Sequence, residues 1–429
     1  WVFLLQCLMQ STTTYARLRK ISFVYRAVAL LVAAPCRFMN GSNKKINLGM
    51  IFGSRSVEHE VSIITALQVI HATDKSKYNT IPIYIDKKGD WFTGNKLTDL
   101  ENFNDLSAIT KGMNKVFISS SPTLQYSSGS FFGMKKSERL DVVFPLIHGT
   151  FGEDGTLQGL LEFAGIPYTG AGVLASAIGM DKVFTKKVLT AHQLPVTKYI
   201  SFSRKEYFEK PDAILSKIKE KLRFPLFVKP SNLGSSVGIN KVESVDKLNF
   251  AIEVASEFDS CLLVEEGVED IMEINCSVLG NTENPKPSVC EQPLSGDELL
   301  SYKDKYCSGS KNSGMKGTNR ILPADIPDAL TAKIQEMAVK AFKAINGYGI
   351  ARIDFLINKK NESIFVNEIN TIPGSLSFYL WEASGMKFSQ LIDELVELAI
   401  TRHRDRTQTT YSYDSNILNQ NFGSKSGAI

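Results

Sequence analysis

The sequence predicts an α/β protein of two or three domains, and three observations carry that prediction. A buried-type strand, Ile46–Gly53, feeds a loop and then a helical pattern over 63–72, and residues 141–149 lead in the same order into a helical stretch over 157–164. Units of this kind build parallel sheets, with their loops at the carboxyl edge where ligands bind. A small-residue loop, 231–238, lies between apolar strands, and an acid-bearing antiparallel hairpin occupies 349–374. At 429 residues the chain is too long for one ordinary core.

Apolar residues make up 43% and charged residues 22%, the mix of a soluble globular protein. The net charge of +4 is uneven: residues 1–57 hold eight Lys or Arg and no acid, leaving 41 basic against 45 acidic residues, a net of −4, in the remainder. That balance gives no general reason to expect a nucleic-acid partner. Cys7, Cys36, Cys261, Cys276, Cys290 and Cys307 lack paired short spacings, which argues against a zinc site or disulfide framework and fits a reducing cytoplasm. Residues 1–38 carry Arg17, Arg19, Lys20, Arg26 and Arg37 among Ser and Thr, with an apolar run at 27–34 too short to span a bilayer. A targeting peptide, a weak signal sequence and translated upstream sequence all match that composition. We read Met39 as the start and 1–38 as a leader or upstream sequence outside the fold.

Along the chain, Glu58 lies in the loop after the first strand. Two readings stand for it: a carboxylate holding a substrate ammonium, or an acid favoured near a helix start by the helix dipole. His148 ends the second strand beside the glycine-rich loop 149–156; a lone His is more often structural, but this one reaches the sheet's edge. A helix is expected over 183–191, strands over 198–203 and 224–229 around a charged helix at 205–221, and a domain boundary near Met180. The loop 231–238 either wraps an anion with its N–H groups and hydroxyls, Lys229 supplying a point charge, or is simply a turn. It is not a Walker loop, because no Gly-Lys-Ser/Thr tripeptide opens a helix. Residues 261–268 read as a strand ending in acids. Another strand, 273–279, places Glu273, Asn275 and Ser277 on one face and Ile274, Cys276 and Val278 on the other. The polar, aperiodic stretch 300–320 is a lid-type loop. An amphipathic helix is expected over 326–345 and a closing helix over 387–401, with a polar tail from His403.

Within the hairpin, a turn near Asn361 sets Asp354 opposite Glu368 and Arg352 opposite Asn370, all on one face. Two carboxylates directly opposed repel, so a fold that keeps them there normally places a cation between them. The donors are hard oxygens, which suits magnesium beside nucleotide phosphates, and Arg352 would meet a phosphoryl group in transfer. The alternative is a solvated hairpin face with an Arg–Asp pair.

Five motifs then occur in a known order: 53–62, Gly-Ser-Arg-Ser-Val-Glu-His-Glu-Val-Ser; His148-Gly149 with Gly152-Glu153-Asp154-Gly155; Gly179-Met180-Asp181-Lys182; Lys229-Pro230-Ser231 with Gly234-Ser235-Ser236-Val237-Gly238; and 367–374, Asn-Glu-Ile-Asn-Thr-Ile-Pro-Gly. From Ile46 to about Arg402 the chain resembles the D-alanine–D-alanine ligases of the ATP-grasp superfamily. The resemblance implies an N-terminal parallel-sheet α/β substrate domain (39–179), a central ATP-grasp subdomain (180–266), a C-terminal catalytic domain (267–402) and a polar tail (403–429). It implies ATP bound between the last two domains, and Mg2+, with Mn2+ as a substitute, on Asp354, Glu368 and Asn370. Arg352 and Gly374 would stabilise the tetrahedral intermediate. Lys182, Lys229 and Ser236 would hold phosphates, Lys305 the γ-phosphate from the lid, Glu265, Glu266 and Val268 the adenine, and Glu273 the ribose. Glu58, Ser235 and Tyr306 would orient the amine of the first D-alanine, and His148 would face substrate. The family further implies a cytoplasmic homodimer serving peptidoglycan synthesis, without a membrane partner.

One departure stands out. After Gly374 the family runs through a Thr/Ser-rich segment whose Ser-Leu pair contacts the second substrate's carboxylate, whereas this chain reaches Gly385 about four residues early. Ser375 and Ser377 are the expected substitutes. Two rival functions follow: a ligase with a different acceptor amino or hydroxy acid, and a non-catalytic ATP-binding regulator. The full set Lys229, Arg352, Asp354, Glu368 and Asn370 argues against the regulator.

Overall fold

Among the residues described by the structure, a computed structural model covering 44–119, 121–126, 137–294 and 320–413, three β-sheets follow one another along the chain. The first contains β1 (Ile46–Gly53), β2 (Tyr78–Ile85), β3 (Trp91–Thr93), β4 (Asn114–Ile118), β5 (Thr123–Tyr126), β6 (Ser137–Arg139) and β7 (Val142–Pro145), in the order β6-β5-β4-β3-β2-β1-β7. β1 runs parallel to β2 and β7, as a crossover through helix α1 (His59–Ala72) requires. The expected parallel sheet is only this central part, because β2 to β6 pair antiparallel. The link 86–90 between β2 and β3 is too short for a crossover.

Helix α1 starts at His59, four residues before the apolar periodicity begins, and its polar side chains explain why. His59 is fully buried, with Nδ1 2.6 Å from the Ser54 carbonyl and Nε2 3.0 Å from the Tyr84 hydroxyl. The Ser62 hydroxyl accepts from Gly53 N–H at 2.8 Å and donates to the Leu146 carbonyl at 2.6 Å. These groups read as loop in the sequence but pin the first helical turn to the ends of β1 and β7. Gly53 itself has φ +91°, and a Cβ there would meet the Ile85 carbonyl at 2.3 Å.

After α2 (Thr156–Phe163), α3 (Val173–Met180) and α4 (Lys182–Ala191), the second sheet is antiparallel. It contains β8 (Tyr199–Ser203), β9 (Leu226–Pro230), β10 (Asn240–Val242) and β11 (Cys261–Glu266), in the order β10-β9-β11-β8. The charged stretch expected as one helix forms two, α5 (Arg204–Glu209) and α6 (Pro211–Lys221). Pro211 lacks an N–H and suits the first turn of a helix, not its interior. With α7 (Leu248–Ser256), these helices cover one face through Ile214, Ile218 and Ile252.

The third sheet is β12 (Ile271–Gly280), β13 (Lys286–Pro293), β14 (Arg320–Ile321), β15 (Gly349–Asn358) and β16 (Ile364–Asn370), in the order β14-β13-β12-β15-β16. Strand alternation splits its faces. Ile274, Cys276, Ile353, Phe355 and Val366 pack on Ile334, Ala338 and Phe342 of α8 (Asp328–Ala344), which leaves Glu273, Asn275, Arg352 and Asp354 on the other side. The chain then passes through α9 (Phe378–Ala383) into α10 (Phe388–Thr407), and α10 returns to the first sheet, where Leu391, Ile392 and Leu395 share a core with Leu48, Met50 and Phe52.

α10 runs six residues past the expected end at 401, into the stretch expected as tail. Arg402 accounts for this. Its guanidinium lies between the rings of Tyr168 and Tyr348, 4.2 and 4.7 Å from their centroids, and donates to the carbonyls of Tyr168 and Gly170. Arg406 adds an ion pair with Glu162. We predict that Arg402→Ala destabilises the fold by about 2–4 kcal/mol, from lost cation–π contact and two orphaned carbonyls. Equilibrium denaturation measures this, and an unchanged midpoint would contradict it.

Candidate active site

The hairpin register is as expected: Asp354 pairs with Glu368 and Arg352 with Asn370, with a bulge between Asp354 and Phe355. Arg352 donates Nε to Asp354 Oδ1 and Nη2 to Oδ2, each at 2.6 Å, while Asn370 Nδ2 lies 3.0 Å from Oδ2. Burial alone would lower the Arg352 pKa, but Asp354 overrides it and holds the guanidinium firmly charged. Two carboxylates and an amide carbonyl on one face fit a hard divalent cation of the magnesium type. Holding it there requires Asp354 to share its oxygens between that cation and Arg352.

Beside the hairpin a cavity of about 640 Å³ opens between the second and third sheets, large enough for a nucleotide. Phe227, Lys229, Glu266, Val268, Glu273 and Asn367 line it. Glu265 also reaches it, but its carboxylate is 2% exposed and committed elsewhere. Oε1 is bound by Lys229, and Oε2 accepts from Lys186 Nζ at 2.7 Å and the Thr197 hydroxyl at 2.8 Å. Burial would raise the Glu265 pKa, yet the two ammonium groups hold it well below the usual carboxylate range. Glu265 therefore positions Lys229 rather than presenting a free acid to a base. Lys186 was missed in the sequence, although it falls at i+3 from the buried Val183 on an otherwise apolar helix face.

The small-residue loop is fixed at both ends. Asp181 caps α4, accepting from Val183 and Phe184 N–H at 2.9 Å, and takes the Ser231 hydroxyl at 2.7 Å. Lys182 donates its ammonium to the Leu233 carbonyl. Ser235 and Ser236 adopt φ +54° and +59°, and the Ser235 hydroxyl bonds Glu58. Glu58 is 5% exposed and hemmed in by two glycines: a Cβ at Gly149 would sit 2.6 Å from Oε2, and one at Gly234 2.5 Å. Loops of the first and second sheets thus meet on this one carboxylate.

His148 is buried, with Nε2 2.8 Å from the Thr65 hydroxyl, and burial pushes its pKa down to about 4, so the ring is neutral. Thr65 Oγ1 in turn accepts the Ser375 N–H at 3.1 Å. After Gly374 three successive L-residues, Ser375, Leu376 and Ser377, take φ +54°, +52° and +47°. Left-handed backbone costs roughly 1–2 kcal/mol per such residue and persists only where its surroundings dictate it. All three are buried, and the Ser377 hydroxyl has no hydrogen-bond partner among the described residues. Tyr306 and Lys305, with the rest of the expected lid up to residue 319, lie outside the described residues.

Glu153 received no role from the sequence although it lies in the second motif. Its Oε2 accepts Gly149 N–H at 2.9 Å and its Oε1 accepts Ile372 N–H at 2.8 Å, tying the His148 loop to the strand exit before Gly374. Burial first and the nearby Glu58 second push its pKa up to about 8, against the pull of those two N–H groups and Arg352.

Fold and site together define an ATP-grasp ligase. The comparisons narrow the class. The family model described as the D-ala D-ala ligase N-terminus matches residues 47–171, and that described as the D-ala D-ala ligase C-terminus matches 188–397. A D-alanine–D-alanine ligase of Natranaerobius thermophilus is 40% identical over 376 residues, covering 86% of this chain and 99% of that one. One from Thermosipho melanesiensis is 42% identical over 377 residues, 87% and 98% of the two chains. Among solved structures, the D-alanine-D-alanine ligase from Coxiella burnetii aligns with a TM-score of 0.71 and 31% identity, over 85% of this chain and 96% of its own. The VanG D-Ala:D-Ser ligase from Enterococcus faecalis aligns with a TM-score of 0.71 and 32% identity, over 83% and 100%. The chain belongs to the D-alanine–D-alanine ligase family, whose members are ADP-forming ligases that use ATP. Among the described residues no helix is long and apolar enough to cross a membrane.

The Glu153 environment makes a pH prediction. A carboxyl whose folded pKa is raised from 4.5 to about 8 binds its proton more tightly in the folded state. Its stabilising contribution is complete below about pH 4.5 and is lost as pH rises through about 8. Thermal melts should therefore show the wild type losing ground relative to Glu153→Gln between those pH values; parallel curves would contradict the assignment.

Proposed function

We propose that this protein joins two D-alanine molecules at the expense of ATP, for peptidoglycan precursors. The observation that carries this reading is the hairpin register, which sets Arg352, Asp354, Glu368 and Asn370 on the face beside the nucleotide-sized cavity. A carboxylate is a poor nucleophile towards ATP, and water destroys an acyl phosphate. The chemistry therefore needs a positioned phosphate, a charged cradle and exclusion of solvent.

In this reading Lys182, Lys229 and Ser236 hold the phosphates, and Glu266, Val268 and Glu273 line the base and ribose site. Asp354, Glu368 and Asn370 would hold Mg2+, whose charge lowers the cost of crowding the reacting oxygens. Glu58 and Ser235, with Tyr306, take the ammonium of the first D-alanine. Arg352 and the Gly374 N–H stabilise the oxyanion when the second amine attacks the acyl carbon. The three sheets support a division into 39–179, 180–266 and 267–402, and the family resemblance supports a cytoplasmic homodimer. A second reading, an acceptor other than D-alanine, is favoured by the left-handed turn at 375–377 where the family has a longer segment.

ADP release with a panel of D-amino acids and D-lactate tests both. Release that needs only D-alanine supports the first reading, release that needs another acceptor supports the second, and ATP binding without release would leave a regulator. Asp354→Ala and Glu368→Ala should each retain the fold and lower turnover at least about a hundredfold. Near wild-type turnover in either would overturn the metal assignment.

A further inference from the structure

The Gly374 N–H does not hold itself in place. It lies on a segment, 372–375, whose neighbouring backbone groups are taken by side chains that belong with the first sheet. Ile372 N–H goes to Glu153 Oε1 at 2.8 Å and Ser375 N–H to Thr65 Oγ1 at 3.1 Å, while Pro373 has no N–H to give. The His148 ring donates to the Ile372 carbonyl, a bond that favours its protonated form although burial keeps the ring neutral. Gly374 N–H is the donor of this segment that none of these bonds uses. On the ligase reading, on which this inference rests, it meets the acyl oxygen of the donor amino acid.

Thr65 is the buried link in that arrangement. His59, Ser62 and Thr65 follow one another at three-residue spacing along α1, so their polar groups form a single buried stripe. A Thr on a helix commonly bonds the carbonyl four residues back, as Thr73 does to Val69 at 2.6 Å at the end of α1. Thr65 bonds outward, its Oγ1 lying 2.8 Å from His148 Nε2 and 3.1 Å from Ser375 N. A neutral imidazole has one N–H, and here it is spent on Ile372. Nε2 therefore accepts the Thr65 hydrogen, which leaves a Thr65 lone pair facing the Ser375 N–H. Ser375 also opens the left-handed run 375–377, a strained backbone that persists only where its contacts dictate it.

The same frame carries Glu58. Ser56 Oγ donates to the His148 carbonyl at 2.7 Å and accepts Glu58 N–H at 3.1 Å, and Glu58 directly precedes α1. The carboxylate that takes the donor's ammonium and the N–H that takes its acyl oxygen are thus referred to one scaffold, α1 with the His148 loop. In an α-amino acid those two groups sit on adjacent carbons, so their protein partners need a fixed separation. A displacement of about 1 Å in such a site costs roughly a hundredfold in rate. We propose that Thr65 is a positioning residue for the ligation: by holding Ser375 N–H it sets the Gly374 peptide against the acyl oxygen of a donor anchored on Glu58.

The test compares the full-length wild type with T65V, which keeps the volume and loses the hydroxyl. T65V should lower kcat about 30-fold, less than the roughly hundredfold or more of removing an oxyanion donor outright, with the KM values for ATP and D-alanine nearly unchanged. It should weaken binding of a phosphinate dipeptide, whose tetrahedral phosphorus copies the adduct, by a similar factor and leave binding of D-alanyl-D-alanine nearly as it was. T65S, which restores a hydroxyl, should recover most of both losses. An unchanged kcat in T65V, or a loss in which phosphinate and dipeptide weaken equally, overturns the proposal. If T65V does not fold, T65C decides, because its thiol fills similar space and hydrogen-bonds only weakly: a smaller split in the same direction must appear, and its absence overturns the proposal. Wild-type enzyme that releases no ADP with D-alanine refutes the ligase reading itself, a result distinct from any of these.

Discussion

The structure depends on a repulsion it maintains. Asp354 and Glu368 are paired directly opposite each other in the β15–β16 hairpin, an arrangement two carboxylates do not choose. Two things hold it. One face of the hairpin is locked by apolar packing on α8, so the strands cannot slip by a residue without turning Ile353 and Phe355 into the cleft. On the other face the Arg352 fork spans both oxygens of Asp354. The hydrophobic core therefore fixes the geometry, and the Arg352 fork offsets the charge of one of the two acids.

Similar logic recurs around the cleft. Glu265 between Lys186 and Lys229, Glu291 between Arg320 and Tyr379, and Glu58 against Ser235 are acids at most 5% exposed. Their partners come from sequence-distant elements. Each carboxylate costs desolvation that only matched donors offset. The outcome is a set of fixed dipoles and charges in place before any ligand arrives, which is the condition under which electrostatic stabilisation acts without reorganisation.

What could be read in advance follows from the range of the forces involved. The hairpin register was legible because side-chain alternation and a polar turn are local, and the same holds for β1, β9 and β11. The first turn of α1 was not, because His59 and Ser62 look like loop until Tyr84 and Leu146 are brought beside them. Lys186 and Glu153 escaped for a related reason: each matters through a partner 79 or 219 residues away. The left-handed run at 375–377 carries no glycine signal at all, and arises from burial against Thr65 and its surroundings. For Tyr306 and Lys305 the expectation stands only as the family resemblance left it.

The return of α10 to the first sheet bears on how the chain is made. Leu391, Ile392, Leu395 and Val396 complete a core begun by Leu48, Met50 and Phe52, which leave the ribosome more than three hundred residues earlier. Until the last of them emerges, the apolar flank of β1 and α1 faces water. Translation of the intervening three hundred or so residues takes on the order of tens of seconds at cellular elongation speeds. The nascent protein thus carries an open hydrophobic seam over that interval, one that a chain closing its core in order would not expose.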